Sequence, residues 1–311
     1  QSVPVVLTWL PGSWTSVAAG GNNSVGIQTD GSMYVWGDNT FKQSLIPNLS
    51  WTKLAASSGG GLAAHFLAIR SDGQLYAWGF NTSGQLGNGG AGSLSSPSAI
   101  GGFSWNAIAA GLDISIAIRG DGTLFAWGNN INGAIGDGTT VSKSSPVLVT
   151  GGLAASITNP GSWTQVYAGR NHLVAQRSDG TVYAWGYNAN GQLGLGDTAN
   201  RSSPVQVGAS SWNLVSAGSS FSMATLSTGG LFSWGRNNIG QLGSNTTTDR
   251  SSPVQVGASS WSAIASGTSW SGGVSAFRLF TWGLNTTGQL GGSSTVAVTA
   301  SRSSPVQVGA A

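Results

Sequence analysis

The dipeptide Trp-Gly recurs six times along this chain of 311 residues, in steps of 42 to 58 residues, and this periodicity limits the fold more than any other feature. Repeats of this length are typical of architectures in which small units stack and cover one another's apolar faces. A second tryptophan opens each copy, so twelve of the fourteen tryptophans are repeat positions. The Trp-Gly positions are Trp36, Trp78, Trp127, Trp185, Trp234 and Trp282, and the opening positions are Trp14, Trp51, Trp105, Trp163, Trp212 and Trp261.

Each copy predicts a small antiparallel sheet of four strands. In copy four, the apolar run from His172 to Gln176 meets the turn Ser178-Asp179-Gly180, and the run from Thr181 to Trp185 returns. Asp-Gly between two short apolar runs is a strong hairpin signal, because glycine supplies the positive φ that tight turns require. A last extended segment, Ser-Ser-Pro-Val-Gln-Val, contains a proline that cannot donate to a sheet ladder, so it is expected at the outer edge.

Four-stranded units of this length predict an all-β fold, namely a single closed β-propeller of six blades that occupies residues 1–311 as one domain. Seven blades are the alternative, because proline-led edge segments number seven and six units need only six. In the simplest arrangement, one terminal segment completes the blade begun at the other end and closes the ring. The seven segments contain Pro4, Pro47, Pro97, Pro146, Pro204, Pro253 and Pro305.

Composition narrows the classes of function. Charged residues make up only 7% of the chain, and the net charge of +3 is spread along it without a basic stripe, so we expect no nucleic-acid partner. Cysteine is absent, which excludes disulfides and thiolate metal sites. No apolar run approaches the length of a membrane span, so we expect no membrane insertion. The chain begins at Gln1 without Met and stops directly after a repeat segment, as expected of a processed or excised piece.

Several short motifs carry a family resemblance. They are the Ala-Gly that ends the first strand, the Asp-Gly hairpin, Trp-Gly-x-Asn, Gly-Gln-Leu-Gly and Ser-Pro-Val-Gln-Val. Together they resemble the repeat of the regulator of chromosome condensation family, over nearly the whole chain. The resemblance implies a propeller but not one function, since similar members include a GTPase exchange factor, a plant photoreceptor and a secreted inhibitor. Low charge and near-identical copies are closest in character to bacterial and phage arrays.

Groups that could carry catalysis are better explained as structural. Four of the nine acids lie in hairpin turns, and no glutamate occurs. The two histidines, His65 and His172, share one repeat column and have no nearby acid or cysteine, so we expect neither a metal site nor a joint metal ligand. We therefore expect no cofactor and no enzymatic activity.

Residues that break the repeat are the best binding candidates, because scaffolds keep their shape while their loops vary. One variable column is the turn between the first and second strands, and the other is the position directly after Trp-Gly. Arginine and aromatic side chains dominate binding hot spots, which favours some of these positions over others. The candidate residues are Asn22, Asn23, Phe80, Asp113, Arg170, Tyr187, Arg236 and Trp270.

Two hypotheses for function follow. The preferred one is an extracellular or virion-surface propeller that recognises a protein or glycan, or takes part in a larger assembly. The alternative is an intracellular regulator of a small GTPase, which resembles the exchange factor of the family. The sequence shows neither a basic surface nor a charged insertion, so it favours the first hypothesis.

Overall fold

The computed structural model describes residues 13–20, 23–37, 50–57, 64–150, 163–291 and 300–309. Every helix or strand in these ranges is a β-strand. The strands form antiparallel sheets that follow the sequence repeat in the arrangement of a β-propeller. The predicted all-β propeller class is therefore confirmed.

The first three repeat units contain ten strands. These are β1 (Trp14–Gly20), β2 (Asn23–Gln28), β3 (Met33–Gly37), β4 (Trp51–Ala56), β5 (His65–Arg70), β6 (Gln74–Gly79), β7 (Leu94–Ala110), β8 (Ile114–Arg119), β9 (Leu124–Gly128) and β10 (Lys143–Leu148). Unit one comprises β1 to β3, and the Pro47 segment expected as its fourth strand lies outside the described residues.

The last three units are separate sheets of four strands each. Their strands are β11 (Trp163–Ala168), β12 (His172–Arg177), β13 (Val182–Gly186), β14 (Arg201–Gln206), β15 (Trp212–Ala217), β16 (Phe221–Leu226), β17 (Gly230–Gly235), β18 (Arg250–Ser260), β19 (Ala263–Ser266), β20 (Trp270–Ser275), β21 (Arg278–Gly283) and β22 (Arg302–Gln307).

Units two and three share a strand, which the sequence did not predict. The strand β7 is continuous over 17 residues. Its first half pairs with β6 and its second half with β8, so the two units form one seven-stranded sheet. The segment from Gly101 to Phe103 continues the strand, with Gly101 at a positive φ of 63°, and it joins the outer edge of unit two to the first strand of unit three.

Each unit packs onto the preceding one through its opening tryptophan and the aliphatic residue three positions later. In unit four, Trp163 and Val166 are buried in one cluster with Ile118 and Leu124 of unit three. Burial of this kind contributes about 25 cal/mol per Å² of apolar surface. The same pairs are Trp51 with Leu54, Trp105 with Ile108, Trp212 with Val215, and Trp261 with Ile264.

A polar contact accompanies this packing. The carbonyl of Gln192 in unit four accepts hydrogen bonds from Trp234 Nε1 and Ser222 Oγ of unit five, both at 3.0 Å. A buried indole N–H requires such a partner, which explains why Gly-Gln-Leu-Gly and Trp-Gly repeat together. The carbonyl of Gln85 accepts an equivalent pair of hydrogen bonds from Trp127 and Ser115. The carbonyl of Gln241 accepts such a pair from Trp282 and Ser271.

These packed pairs join each unit to the next, from unit one to unit six. Closure of the ring would require a further contact between unit six and unit one. Leu279 of unit six is 48% exposed, although the residues at its position in units two to five are buried. Val17 of unit one is 70% exposed, whereas the residues at its position in the other units are buried or half-buried. The closed ring of six blades therefore stays a prediction of the sequence.

The hairpin of unit six departs from the others. Its loop is one residue shorter than that of unit five, and the two loop residues, Ala276 and Phe277, both adopt positive φ, at 49° and 60°. An aromatic residue in this conformation costs about 1 kcal/mol relative to glycine. We expect Phe277→Gly to raise the free energy of unfolding by about 1 kcal/mol in urea denaturation, whereas Gly180→Ala, at φ 81°, should lower it. A loss of stability in Phe277→Gly would show that the exposed ring makes packing contacts.

Candidate functional site

The turns between the first and second strands of units three, four and five contact one another through their backbones. Leu112 N donates to Arg170 O at 3.0 Å, and Arg170 N donates to Ser219 O at 3.0 Å. A Cβ atom on Gly111 would lie 2.6 Å from the carbonyl oxygen of Gly169, so only glycine allows this approach. Backbone hydrogen bonds therefore join the turns of three successive units in a row.

The residue after Trp-Gly lies beside the turn of its own unit. Tyr187 N donates to Asn171 O at 2.9 Å, and Arg236 N donates to Ser220 O at 2.9 Å. The two variable columns of the sequence thus meet on one end of the molecule. We call this surface the axial end, and its described residues include Phe80, Leu112, Asp113, Asn129, Arg170, Asn171, Tyr187, Ser219, Ser220, Arg236, Ser269 and Leu284.

Units four and five place two cations and an aromatic ring together on the axial end. Arg170 and Arg236 are exposed, and Tyr187 is half-buried. Arg236 Nε donates to Asn238 Oδ1 at 3.0 Å. The backbone N–H of Arg170 donates to the carbonyl of Ser219, and that of Arg236 donates to the carbonyl of the adjacent Ser220. The backbones of the two arginines therefore lie close together.

An acid from unit three borders this cluster. Asp113 Oδ1 accepts a hydrogen bond from Gln85 Nε2 at 3.3 Å. Burial raises the pKa of the Asp113 carboxyl, and the charge of Arg170 opposes that rise. The axial end therefore offers both signs of charge, with the cations more exposed than the acid.

Three of the predicted site residues differ in their placement. Trp270 begins β20 and is half-buried, with its ring against Gly267. His172 and Phe221 occupy the same position in their units, lie against Gly169 and Gly218, and are completely buried. The ring of Trp270 thus packs against a glycine of its own unit, as those of His172 and Phe221 do. Asn23 begins β2, and Asn22 lies outside the described residues.

The two histidines are part of this packing. His65 Nε2 is 2.9 Å from Ser115 Oγ of the next unit, and His172 Nε2 is 3.0 Å from Ser222 Oγ. Burial lowers the pKa of His65 to about 3 and that of His172 to about 4. Ser115 donates its proton to the Gln85 carbonyl at 2.7 Å, so this buried Ser–His pair is not arranged as an activated nucleophile.

The hairpin acids act as turn formers. Asp179 Oδ1 accepts hydrogen bonds from the Thr181 hydroxyl at 2.6 Å and from the Thr181 backbone N–H at 2.9 Å. These bonds lower the pKa of the Asp179 carboxyl. Asp121 makes the same contacts with Thr123. Within the described ranges, no cluster of three or more His, Cys, Asp or Glu side chains could hold a metal ion.

A cavity of about 370 Å³ lies among the first strands of units one to four. Its lining is mainly polar and includes Ser16, Thr52, Asn106 and Gln165. Lys53 adds a charge, and its ammonium group contacts the backbone carbonyl and the side chain of Asn106. Sequence reasoning missed this lysine, although it is the only charged residue in the column two positions after the opening tryptophan.

The fold and its repeat define a β-propeller built from tandem blades. Comparison with known proteins identifies its family. Residues 64–310 match the model of the RCC1-like domain, and residues 14–43 match that of the regulator of chromosome condensation repeat. The chain therefore belongs to the RCC1-like domain family.

Individual relatives agree with this assignment. The chain is 46% identical to the ultraviolet-B receptor UVR8 of Arabidopsis thaliana over 44 residues, which is 14% of this chain and 10% of the receptor. Yeast Prp20, solved bound to Kap60, superposes with a TM-score of 0.79 at 18% identity over 95% of this chain and 74% of that chain. Human WBSCR16 superposes with a TM-score of 0.71 at 22% identity over 82% of this chain and 70% of that chain. At these identities the solved structures show the fold alone.

The expected extracellular or virion-surface location is wrong. The solved structures that cover 95% of this chain are those of yeast Prp20, one bound to Kap60 and one described together with its binding to Gsp1p and histones, and neither points to an extracellular or virion surface. The bias in composition that suggested a surface location reflects the short strands and tight turns of the repeat. In the part of the chain that the structure describes, no helix is long and apolar enough to cross a membrane.

Proposed function

We propose that this chain is a non-enzymatic propeller that binds a protein partner through its axial end. The observation that carries the proposal is the grouping of Arg170, Tyr187 and Arg236 on two adjacent units, where the two variable columns meet. Most other titratable groups that we described already serve the scaffold. The hairpin acids hold turns and the histidines bond to serines across unit interfaces.

The chemistry of the cluster indicates what the partner offers. An exposed guanidinium pairs with a carboxylate through two parallel hydrogen bonds, and a half-buried tyrosine adds apolar contact at little entropic cost. Two arginines flanking a tyrosine fit an acidic segment that also carries an apolar side chain. Asp113 adds a negative group beside Arg170 and disfavours partners with an acid at that point.

A capture experiment with three variants tests the proposal. The immobilised wild-type chain is compared with Arg170→Ala, Arg236→Ala and Arg278→Ala for proteins retained from an extract of its source. Arg278 is an exposed arginine next to a hairpin, at the opposite end of the strands from the axial end. We expect each axial variant to weaken binding about 30-fold, equivalent to about 2 kcal/mol, and Arg278→Ala to bind as wild type. Equal retention by all variants would exclude the axial end.

A second candidate is regulation of a small GTPase, which the overlap with Prp20 favours. The test uses Gsp1p loaded with a fluorescent GDP analogue. An exchange factor would accelerate nucleotide release at catalytic amounts of this chain, and that result would replace the simple binding function. Unchanged release, with retained binding of another protein, would favour the first proposal.

A further inference from the structure

The polar cavity among the first strands of units one to four has the chemistry of a ligand site. We propose that it binds a small molecule that carries one carboxylate and several hydroxyl groups. The cavity is separate from the axial end, because Gln165 in its lining lies near the start of β11, whereas Arg170 lies in the turn after the end of that strand. The proposal therefore does not rest on the binding of a protein partner at the axial end.

Lys53 of unit two places a positive charge in the lining without an opposite charge beside it. Its ammonium group contacts the backbone carbonyl of Asn106 and, at 3.2 Å, Oδ1 of the same residue, and both of these oxygens are neutral. Within the part of the chain that the structure describes, Lys53 forms no ion pair, and no acidic residue lines the cavity. A carboxylate of the ligand would pair with this ammonium group through a charge-assisted hydrogen bond.

Neutral hydrogen-bonding groups surround the charge. Because Asn106 Oδ1 accepts from Lys53, Asn106 Nδ2 is left as a donor, and it has no partner among the described residues. The same holds for the side-chain amide of Gln165 in unit four and the hydroxyl of Ser16 in unit one, which also line the cavity. Amides and hydroxyls both donate and accept, so these three groups match the hydroxyl groups of a ligand.

Two threonines of the lining hold the cavity wall in place. Thr52 Oγ1 donates to the carbonyl of Ile69 at 3.1 Å, and Thr164 Oγ1 donates to the carbonyl of Gln176 at 3.2 Å. Each bond joins the first strand of a unit to the second strand of the same unit. The groups that face the ligand are therefore carried by paired strands, which position a site more precisely than loops do.

The size of the cavity limits the size of the ligand. A volume of about 370 Å³ corresponds to about a dozen water molecules, and thus to a ligand with a similar number of non-hydrogen atoms. This volume lies within the usual range of small-molecule pockets. Lys53, Asn106 and Gln165 are exposed, so a ligand reaches them from solvent.

A structural role does not account for the lysine. The same repeat position holds Ala107 in unit three, Leu214 in unit five and Ala263 in unit six. In those units the first strand pairs with the second strand as it does in unit two. The fold therefore accepts an uncharged residue at this position, and Lys53 is a departure from the repeat of the kind that marks binding sites.

Titration of the full chain with gluconate, followed by two-dimensional NMR of the backbone amides, tests the proposal. Gluconate carries one carboxylate and several hydroxyl groups, whereas acetate lacks the hydroxyl groups and glucose lacks the charge. We expect gluconate to bind with a Kd below about 1 mM and the other two probes to bind at least about tenfold more weakly. The amides of residues 52–54, 106–108 and 164–165 should shift. Equal binding of either matched probe, no binding of gluconate, or shifts confined to the axial end would overturn the proposal.

Replacing Lys53 by methionine keeps an unbranched side chain and removes the charge. Lys53→Met should raise the Kd for gluconate about tenfold or more. Its Tm should stay within about 2 °C of the wild-type value, because uncharged residues occupy this position in other units. The matched control is Lys143→Met, since Lys143 pairs with Asp137 at 3.4 Å outside the cavity, and it should bind gluconate as wild type. Unchanged binding by Lys53→Met, or an equal loss in Lys143→Met, contradicts the proposed site.

A second variant keeps the lysine and removes one neutral group. Gln165→Leu should fold, because Leu214 occupies the same repeat position in unit five. Loss of the amide should raise the Kd for gluconate about fivefold. Wild-type affinity in Gln165→Leu would overturn the proposal even if Lys53→Met failed to fold.

Discussion

Replacing Trp185 by alanine should lower the free energy of unfolding by about 3 to 5 kcal/mol. The indole is completely buried between units three and four, within the cluster that contains Ile135 and Val149. Its removal leaves a cavity and deprives the Ala134 carbonyl of the 2.8 Å hydrogen bond from Trp185 Nε1. Urea denaturation followed by circular dichroism measures the change.

The matched control is Trp36→Ala, at the same repeat position in unit one. Trp36 is only half-buried, so its loss should cost clearly less than that of Trp185. Equal losses at the two positions would contradict the difference in burial, and with it the description of unit one as an open end.

Acidification should destabilise the protein before its carboxylates titrate. In the unfolded chain, His65 and His172 take up a proton below about pH 6.5, whereas the folded protein keeps them neutral until about pH 3 and about pH 4. Both folded pKa values are depressed, so this part of the stability is complete above pH 6.5 and is lost as the pH falls. Between pH 6.5 and 4.5 the free energy of unfolding should decrease by about 2 to 3 kcal/mol for each histidine.

Phenylalanine at these positions isolates the contribution of the histidines. Phe221 occupies this position in unit five. Ser271, the equivalent serine of the next unit, still donates a hydrogen bond to the carbonyl of Gln241 at 2.8 Å. His172→Phe should therefore fold, and the double variant with His65→Phe should show a nearly flat stability between pH 6.5 and 4.5. A double variant with the same acid sensitivity as wild type would mean that other groups cause it.

The fold could be predicted from the sequence because its signals are local and repeated. The Asp-Gly hairpins fix pairs of strands, and the prolines mark the outer edges. Each of these features depends on residues within one unit, for example Asp179 and Thr181. Because the same pattern occurs in six copies, the sequence predicts the β-propeller class.

The site was harder to predict, because variation in a repeat column has two causes. The column of His65, His172, Phe221 and Trp270 varies like a binding surface. Yet the last three pack against a glycine of their own unit, and both histidines bond to a serine of the next unit. Arg170 varies as much and is exposed. Only the contacts between units distinguish a variable residue that is packed from one that is exposed. Such contacts cannot be predicted from the sequence of a single repeat. Strand β7 escaped prediction for the same reason, since it joins two units across their boundary.

The central claim is that the protein binds its partner at the axial end, while its strands and hairpins serve as scaffold. Hydrogen–deuterium exchange of the full chain, with and without the partner that the wild-type chain captures, tests this claim most directly. The account predicts slower exchange at Leu112, Arg170, Tyr187 and Arg236 in the complex, with unchanged exchange at the hairpin glycines Gly122 and Gly180. Protection confined to those hairpins or to the outer strands β10 and β14 would contradict it.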